Sequence, residues 1–222
     1  MLILPILLYY VNEGSPISRY KFKHEVLSYI RERFSQSIVI EKINYSFKNG
    51  TYWVMAYPEN NKELKFQISE SWNGQGLWDD YLTSTWKYEV NEELGSFVRS
   101  VSVDSYKDTA SIYLGNTIPV VKKYTTIPYG KVPSYQDVKQ ELKKGTTIYI
   151  SINRNYKVDS TNDVYSDIYK IIQFIKMGGY TFEHIYLSLK EDKKDSSTWK
   201  TFTFNSLENV NRKEDILKFQ DK

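Results

Sequence analysis

The sequence predicts an α+β protein with antiparallel sheets, helices packed on one face of the sheets, and two subdomains. Several runs of alternating apolar residues are joined by turn-forming residues such as Asn49 and Gly50, which is typical of hairpins. Other segments repeat apolar residues every three or four positions behind a capping residue, which is typical of surface helices. Runs of strands between such helices favour antiparallel sheets.

The predicted elements fall into four segments. Residues 1–15 are an apolar stretch with a polar linker, and residues 16–116 are predicted to form an α-β-β-β-α-β subdomain. Residues 117–133 are rich in proline and are predicted to be an extended connection, with an edge strand at 120–124 as an alternative. Residues 134–222 are predicted to form a second subdomain with the order α-β-α-β-β-α.

The first eleven residues, MLILPILLYYV, are continuously apolar. They are too few to span a bilayer, which takes about 20 residues. No basic residue precedes them as in a signal peptide. Two interpretations stay open: part of a membrane anchor followed by a linker at 12–16, or a strand or apolar arm of a cytoplasmic protein. The lack of polar alternation favours the anchor.

The first predicted helix covers residues 17–34, with Ser15 as the cap and Pro16 in the first turn. Its predicted inward side chains are Ile17, Tyr20, Leu27, Ile30 and Phe34, widened by Phe22, Val26 and Tyr29. Three strands follow, at 37–47, 51–57 and 64–68, and they alternate apolar and polar residues.

The longest predicted helix covers residues 77–103. Its apolar residues follow at steps of one, three and four: Trp78, Tyr81, Leu82, Trp86, Val90, Leu94, Phe97, Val98 and Val101. Asp79 and Asp80 lie at its start, where free backbone N–H groups and the helix dipole favour negative charge. At about 1.5 Å per residue this helix would be nearly 40 Å long, and we expect its aromatic side to cover the antiparallel sheet.

The remaining predicted elements have clear end signals. Ser134 and Asp137 form a capping box, and Gly178-Gly179 ends the third long helix. In chain order the elements are a strand at 109–114, a helix from 134 to 145, a strand at 146–152, a helix from 160 or 161 to 178, a hairpin of 180–189 and 199–204, and a short helix at 211–219.

Composition narrows the function classes. The net charge is only +3, too small to indicate nucleic-acid binding. There is no cysteine, which excludes disulfides, thiolate metal sites and cysteine nucleophiles. Aromatic residues make up 16% of the chain, including 20 Tyr and 5 Trp. Such density fits either a sheet-rich core or a binding surface, because these side chains are rigid and amphipathic.

No motif indicates catalysis, a metal or a cofactor. His24 and His184 are isolated and lack metal-ligand spacing, so we interpret both as structural. Gly74-Gln75-Gly76 lacks the third glycine of a dinucleotide fingerprint. Asp79 and Asp80 would diverge by about 100° on a helix, so capping explains them better than acid–base chemistry. No cofactor is expected.

The segment 71–80 is the best candidate for a binding site. Trp72 and Trp78 flank a glycine-rich turn that also contains Asn73. Exposed tryptophan on a loop often forms a recognition surface. The alternative is that both indole rings pack the long helix against the third strand.

The first half of the chain resembles a family of uncharacterised extracytoplasmic proteins of Gram-positive bacteria, anchored by a membrane helix or lipid. The matching features are Y-x5-P at residues 52–58 and L-x-F-x-V at residues 64–68, with isoleucine in the last position. A third is D-x-Y-L-x3-W, which corresponds to Asp79, Tyr81, Leu82 and Trp86. The resemblance covers residues 17–103, and Ser35-Gln36-Ser37 stands where the family has a glycine. It implies location and architecture, but no activity.

We therefore expect a non-enzymatic protein of the cell envelope, tethered to the membrane by its N-terminus, that binds another envelope protein or a polymer. No contact with nucleic acid is expected, and none with the membrane beyond the N-terminus. The alternative is a hydrolase of cell-wall polymer that uses carboxylates such as Glu70, Asp79 or Asp80.

Overall fold

The structure is a computed structural model that describes residues 3–71, 76–101, 108–115, 117–125, 129, 132–154, 161–193 and 196–221, with the backbone alone at 3–7, 153–154, 161–163, 191–193 and 196–198. It confirms the α+β prediction. The chain divides into two compact units. The first unit consists of Met1–Thr85 and Lys123–Val132, and the second of Trp86–Lys122 and Pro133–Lys222.

The first unit is built on an antiparallel four-stranded sheet with the order β1-β2-β3-β4. Its elements are α1 (Ile3–Glu13), α2 (Pro16–Arg33), β1 (Ile38–Ser46), β2 (Thr51–Pro58), β3 (Phe66–Glu70), β4 (Leu77–Asp79) and the start of α3 (Tyr81–Ser100). Gly50 adopts a φ of 66° in the turn between β1 and β2, as expected for the predicted hairpin. Strand β2 buries every second residue, so one face of the sheet forms the core.

Helix α2 packs against the sheet with only part of the apolar side that was predicted. Its buried apolar residues are Phe22, Val26 and Ile30. The Phe22 ring stacks on Tyr52 of β2, with the ring centroids 5.6 Å apart. The exposed ones are Ile17, Tyr20 and Leu27, at 70%, 65% and 37%. The predicted side was too wide, because apolar residues extend around more of α2 than the sheet covers, and periodicity does not tell where the covered part ends.

The apolar N-terminus forms helix α1, so the alternative of a first strand was wrong. The N–H of Gly14 bonds the Tyr10 carbonyl at the end of the helix, and Gly14 has a φ of 71°. Glu13, in the last turn, pairs with Arg19 of α2 and with Lys42 of β1. Among the described residues, no helix has both the length and the apolar character needed to cross a membrane.

The second unit is built on a mixed four-stranded sheet with the order β5-β6-β7-β8. Its further elements are β5 (Thr109–Tyr113), α4 (Thr117–Tyr124) up to Lys122, α5 (Tyr135–Leu142), β6 (Thr147–Arg154), α6 (Thr161–Met177), β7 (His184–Lys193), β8 (Ser196–Phe204) and a 3-10 helix (Lys213–Phe219). Strands β6 and β7 are parallel, unlike the antiparallel pairs predicted. Helix α6 connects them as a crossover, which returns the chain to the same end of the sheet.

Helix α3 begins at Tyr81, four residues later than predicted, because Leu77–Asp79 pairs with β3. Its predicted inward residues are otherwise confirmed. Those buried are Tyr81, Leu82, Trp86, Val90, Leu94 and Val98. Phe97 is half-buried and stacks on Phe174 of α6, with the ring centroids 3.9 Å apart.

The predicted extended connection at 117–133 begins instead with helix α4, which also overturns the alternative of an edge strand at 120–124. Pro119 lies in the first turn of α4. Backbone N–H groups there have no partner within a helix, so the missing N–H of proline costs little. Val120 is buried in the second unit, and Tyr129 is buried in the first.

Candidate functional site on the first sheet

The outer face of the first sheet carries two tryptophans in one cross-strand row. Trp78 of β4 lies opposite Ser69 of β3, and Ser69 lies opposite Trp53 of β2. Side chains in such a row point to the same side of the sheet. Strands are about 4.8 Å apart, so the two tryptophan backbones are separated by roughly 10 Å. We call these three residues the tryptophan row.

The tryptophan row has a buried serine at its centre and a more accessible tryptophan at each end. Ser69 is only 6% exposed, and the Gln67 side-chain amide donates a hydrogen bond to its hydroxyl. Trp78 is 40% exposed, and Trp53 is half-buried. Trp78 belongs to β4, which is an edge strand in the order of the sheet. Its ring therefore borders a strand edge to which another chain could add.

The predicted binding residues are only partly visible. Trp72 and Asn73 lie outside the described residues. Trp78 lies in the row, on a strand rather than in a helix. The position of Trp53 beside Trp78 on the same face of the sheet was not predicted. The signal was the alternation in β2, which puts Trp53 on the opposite face from Tyr52 and Val54, both of which are buried.

A buried carboxylate holds β4 in place behind the tryptophan row. The Asp79 side chain is fully buried, and the Arg33 Nε donates to its Oδ2 at 2.7 Å. The Tyr29 hydroxyl donates to the same oxygen. The Tyr129 hydroxyl and the Tyr81 N–H donate to Oδ1 at 2.9 Å and 3.0 Å. We call the four side chains of Tyr29, Arg33, Asp79 and Tyr129 the Asp79 cluster.

Arg33 connects the residues of the Asp79 cluster through its charge and through ring contacts. The Arg33 Nη2 donates to the Tyr129 hydroxyl at 2.8 Å, and its guanidinium carbon lies 4.2 Å from the Tyr129 ring centroid. The Tyr129 N–H bonds the Arg33 carbonyl at 2.7 Å. Arg33 therefore neutralises the charge of the Asp79 carboxylate and also holds Tyr129 in place.

Burial and the Asp79 charge disfavour ionisation of the two phenols. Burial is the main cause of the raised pKa of Tyr29 and Tyr129, and the negative charge of Asp79 adds to it. Burial is the largest influence on the pKa of Arg33 and would lower it, but the charge and hydrogen bond of Asp79 together with the two phenols outweigh burial, and the pKa is raised. The cluster is thus a neutral ion pair with two un-ionised phenols at physiological pH.

The carboxylates considered for catalysis are all engaged by donors of this chain. Asp79 accepts the four hydrogen bonds described above. Asp80 accepts from the Gln67 N–H at 2.6 Å, and Glu70 accepts from the Tyr52 N–H at 2.7 Å. The capping role predicted for Asp79 is confirmed, because its carboxylate accepts from the first helical N–H. Asp80 in addition ties β3 to the helix start.

Neither the histidines nor the cavity beside the cluster offers a further reactive site. His24 is exposed on α2, outside the core, and its ring meets the Tyr20 ring edge to face, with the centroids 4.4 Å apart. The His184 Nδ1 lies 2.8 Å from the Asn205 Oδ1. In the part of the chain that is described, no group of three or more potential metal ligands converges. The cavity lined by Phe34, Ser35, Gln36, Tyr81, Tyr129 and Val132 has about 30 Å³, enough for one water molecule.

No protein-family model, no curated protein and no solved structure matches the chain.

Proposed function

We propose that the protein is a non-enzymatic binding module of the cell envelope, tethered to the membrane by its N-terminus, and that it binds another envelope protein at the edge strand β4. The exposed Trp78 on this rigidly held edge carries the proposal. Tryptophan in a pocket of a partner is among the strongest contributors to protein binding. An edge strand offers backbone groups for strand addition.

Rigidity supports a binding role for this edge. Strand β4 has only three residues, yet the Asp79 cluster fixes its last residue from the core side. A surface that is already ordered loses less conformational entropy when it binds. Trp78 is therefore already held in a defined place, and little further conformational entropy is lost when it binds a partner.

The extracytoplasmic location is supported by two sequence features alone: the apolar residues 1–11 and the resemblance of residues 17–103 to anchored envelope proteins. Fractionation of cells that express the protein from its own locus tests it. We expect it in the membrane fraction, degraded when protease is added to cells without their wall. Recovery in the cytosol, protected from protease, would contradict the location.

The binding proposal is tested by comparing Trp78→Ala with Phe47→Ala in the full chain. Phe47 is 65% exposed in the same unit and is outside the tryptophan row, so it is a matched control. Immobilised protein is incubated with a detergent extract of envelopes, the retained protein is purified, and its affinity is measured. We expect Trp78→Ala to weaken binding about 30-fold, as for a hot-spot residue of about 2 kcal/mol, and Phe47→Ala to leave it unchanged. Equal binding by all three proteins would refute the proposal.

Among the described residues, no contact supports the hydrolase hypothesis. The carboxylates of Glu70, Asp79 and Asp80 each accept hydrogen bonds from donors within the chain. The hypothesis predicts release of sugar from purified cell walls, and loss of that release in Asp80→Asn.

A further inference from the structure

The second sheet has one buried face and one open face. Its core-facing residues on the two central strands are Ile148, Ile150, Ile152, Ile185, Leu187 and Leu189, all at most 2% exposed. The residues between them on the same strands are exposed or half-buried, as are those of the outer strands with which they pair. Alternation along each strand thus produces a second, solvent-facing surface, which we call the open face.

One aromatic side chain from each strand lies on the open face. They are Tyr113 on β5, Tyr149 on β6, Tyr186 on β7 and Trp199 on β8. Tyr113, Tyr149 and Trp199 are 58%, 47% and 57% exposed, and Tyr186 is half-buried between its neighbours. These four residues are not in the core and not in the Asp79 cluster, so neither packing nor the first site accounts for them.

The strand register arranges the four rings along a diagonal. Tyr149 lies directly opposite Tyr186, with the ring centroids 5.7 Å apart and the planes 24° from parallel. Tyr113 is displaced by two residues in one direction, opposite Thr147, and Trp199 by four residues in the other, opposite Lys190. With about 3.3 Å per residue and 4.8 Å between strands, the line is roughly 25 Å long.

Small hydroxyl side chains fill the rows beside this line. On the same face lie Thr109, Ser111, Ser151, Ser188, Thr201 and Thr203, as the strand pairing places them. Each hydroxyl both donates and accepts hydrogen bonds. Among the described side chains of the strands on this face, Lys190 is the only one with a formal charge at neutral pH. At the outer edge of β8, the Thr203 hydroxyl donates a hydrogen bond to the Asp221 carboxylate at 3.1 Å. The described part of the face is therefore aromatic, rich in hydroxyls and low in charge.

We propose that the open face binds an extended polysaccharide made of uncharged sugar rings. The C–H faces of pyranose rings are apolar and stack on flat aromatic side chains, while their hydroxyl groups bond to Ser and Thr hydroxyls. A single-stranded nucleic acid would also stack, but its phosphates require a row of cations, and the described side chains of this face supply only Lys190. A protein interface of this size would have an apolar centre instead of rows of hydroxyls. This site lies in the second unit and takes a different ligand from the edge strand β4, so the two proposals stand or fall separately.

Affinity electrophoresis of the full chain tests the inference, with native gels that contain glycol chitin, amylose or hydroxyethyl cellulose. The variants are Tyr149→Ala, Tyr186→Ala and Tyr149→Phe, with Tyr20→Ala as the control because Tyr20 is an exposed tyrosine of the other unit. We expect retardation by at least one polymer. Each alanine variant should weaken it about fivefold to tenfold, as loss of one ring contact of about 1–1.5 kcal/mol would do. Tyr149→Phe and Tyr20→Ala should bind like the wild type.

Three outcomes would overturn the inference. The first is that none of the three polymers retards the wild type, and the second is that the alanine variants are retarded as strongly as the Tyr20→Ala control. The third is that the variants abolish a different interaction, either with oligothymidine or in a concentration-dependent dimer seen by sedimentation. A circular dichroism spectrum of each variant establishes that it is folded. Loss of partner binding in Trp78→Ala has no bearing on any of these results.

Discussion

Asp79 is the residue whose replacement should affect stability most. Its side chain is 0% exposed and that of its partner Arg33 is 10% exposed. Asp79→Asn would leave the buried guanidinium without a counter-charge, which costs about 3–5 kcal/mol. Urea unfolding at pH 7 measures this loss. Glu41→Gln is the control: its pair with Lys65 is exposed, so the loss should stay under about 1 kcal/mol. Similar losses in the two variants would show that the Asp79 pair is not specially buried.

The two phenols of the Asp79 cluster predict a loss of stability in alkali. Their pKa values are higher in the folded chain than in the unfolded one, because of burial and the Asp79 charge. A raised pKa stabilises the fold fully below the unfolded value, which is about 10, and this stabilisation is lost as the pH rises above it. We expect the free energy of unfolding to fall between about pH 9.5 and pH 11. The fall should be smaller in Tyr29→Phe, and an identical pH profile would exclude Tyr29 as a cause.

The sequence singles out individual residues only where the signal is local. The sequence places Trp78 among the binding residues because a glycine-rich turn precedes it. The role of Asp79 depends on Arg33 and Tyr129, which are 46 and 50 positions away in the chain. Nothing near Asp79 in the sequence distinguishes it from a helix cap, since a carboxylate suits both environments.

At the level of elements, the connection between α1 and α2 depends on Gly14. With a φ of 71°, a Cβ at this position would also collide with the Tyr52 ring and hydroxyl. Gly50 has a similar φ of 66° but open space around it. Gly50→Ala should therefore cost only the backbone strain of about 1–2 kcal/mol, and Gly14→Ala clearly more. Thermal unfolding of the two variants compares them, and equal costs would mean that Tyr52 moves aside freely.

The 3-10 helix Lys213–Phe219 should loosen in strong acid. Lys218 and the backbone N–H groups of Asn211 and Arg212 lower the pKa of Asp215 to about 2. A lowered pKa stabilises the fold above the unfolded value, about 3.9, and this contribution disappears as the pH falls towards 2. An NMR titration of the Asp215 carboxyl carbon should have its midpoint near the lowered value. A midpoint close to 4 would show that these bonds do not persist in solution.

The existence of most elements follows from the sequence, but not their pairing. Capping residues and apolar periods located α2, α3, α5 and α6, and Asn49-Gly50 located the first hairpin. The limits of the α2 face that meets the sheet were not predictable, because apolar residues extend beyond that face into the exposed surface of the helix. Strand β4 was absorbed into the helix prediction, since Leu77 and Trp78 fit the helical period as well as a short strand. The parallel pairing of β6 with β7 follows from the crossover through α6, which local patterns do not show.

At the level of the whole molecule, the division into two units predicts how fragments behave. The first unit takes Lys123–Val132 from a distant part of the chain, and Tyr129 in that segment completes the Asp79 cluster. A fragment of residues 16–116, which matches the predicted first subdomain, lacks this segment. We expect the fragment to unfold without a cooperative transition, whereas the full chain unfolds cooperatively. Near-ultraviolet circular dichroism with urea measures both, and a cooperative fragment would contradict the division.

Helix α3 belongs to both units, with Tyr81–Thr85 in the first and the remainder in the second, and the chain passes from one unit to the other at 85/86, 122/123 and 132/133. Neither unit can thus be excised as a cassette by a single pair of cuts and still retain all its strands, helices and buried side chains. Gene fusion and recombination, which move modules between proteins, would have to splice this chain at three places at once. The two units are accordingly expected to be inherited together, as one indivisible piece of coding sequence.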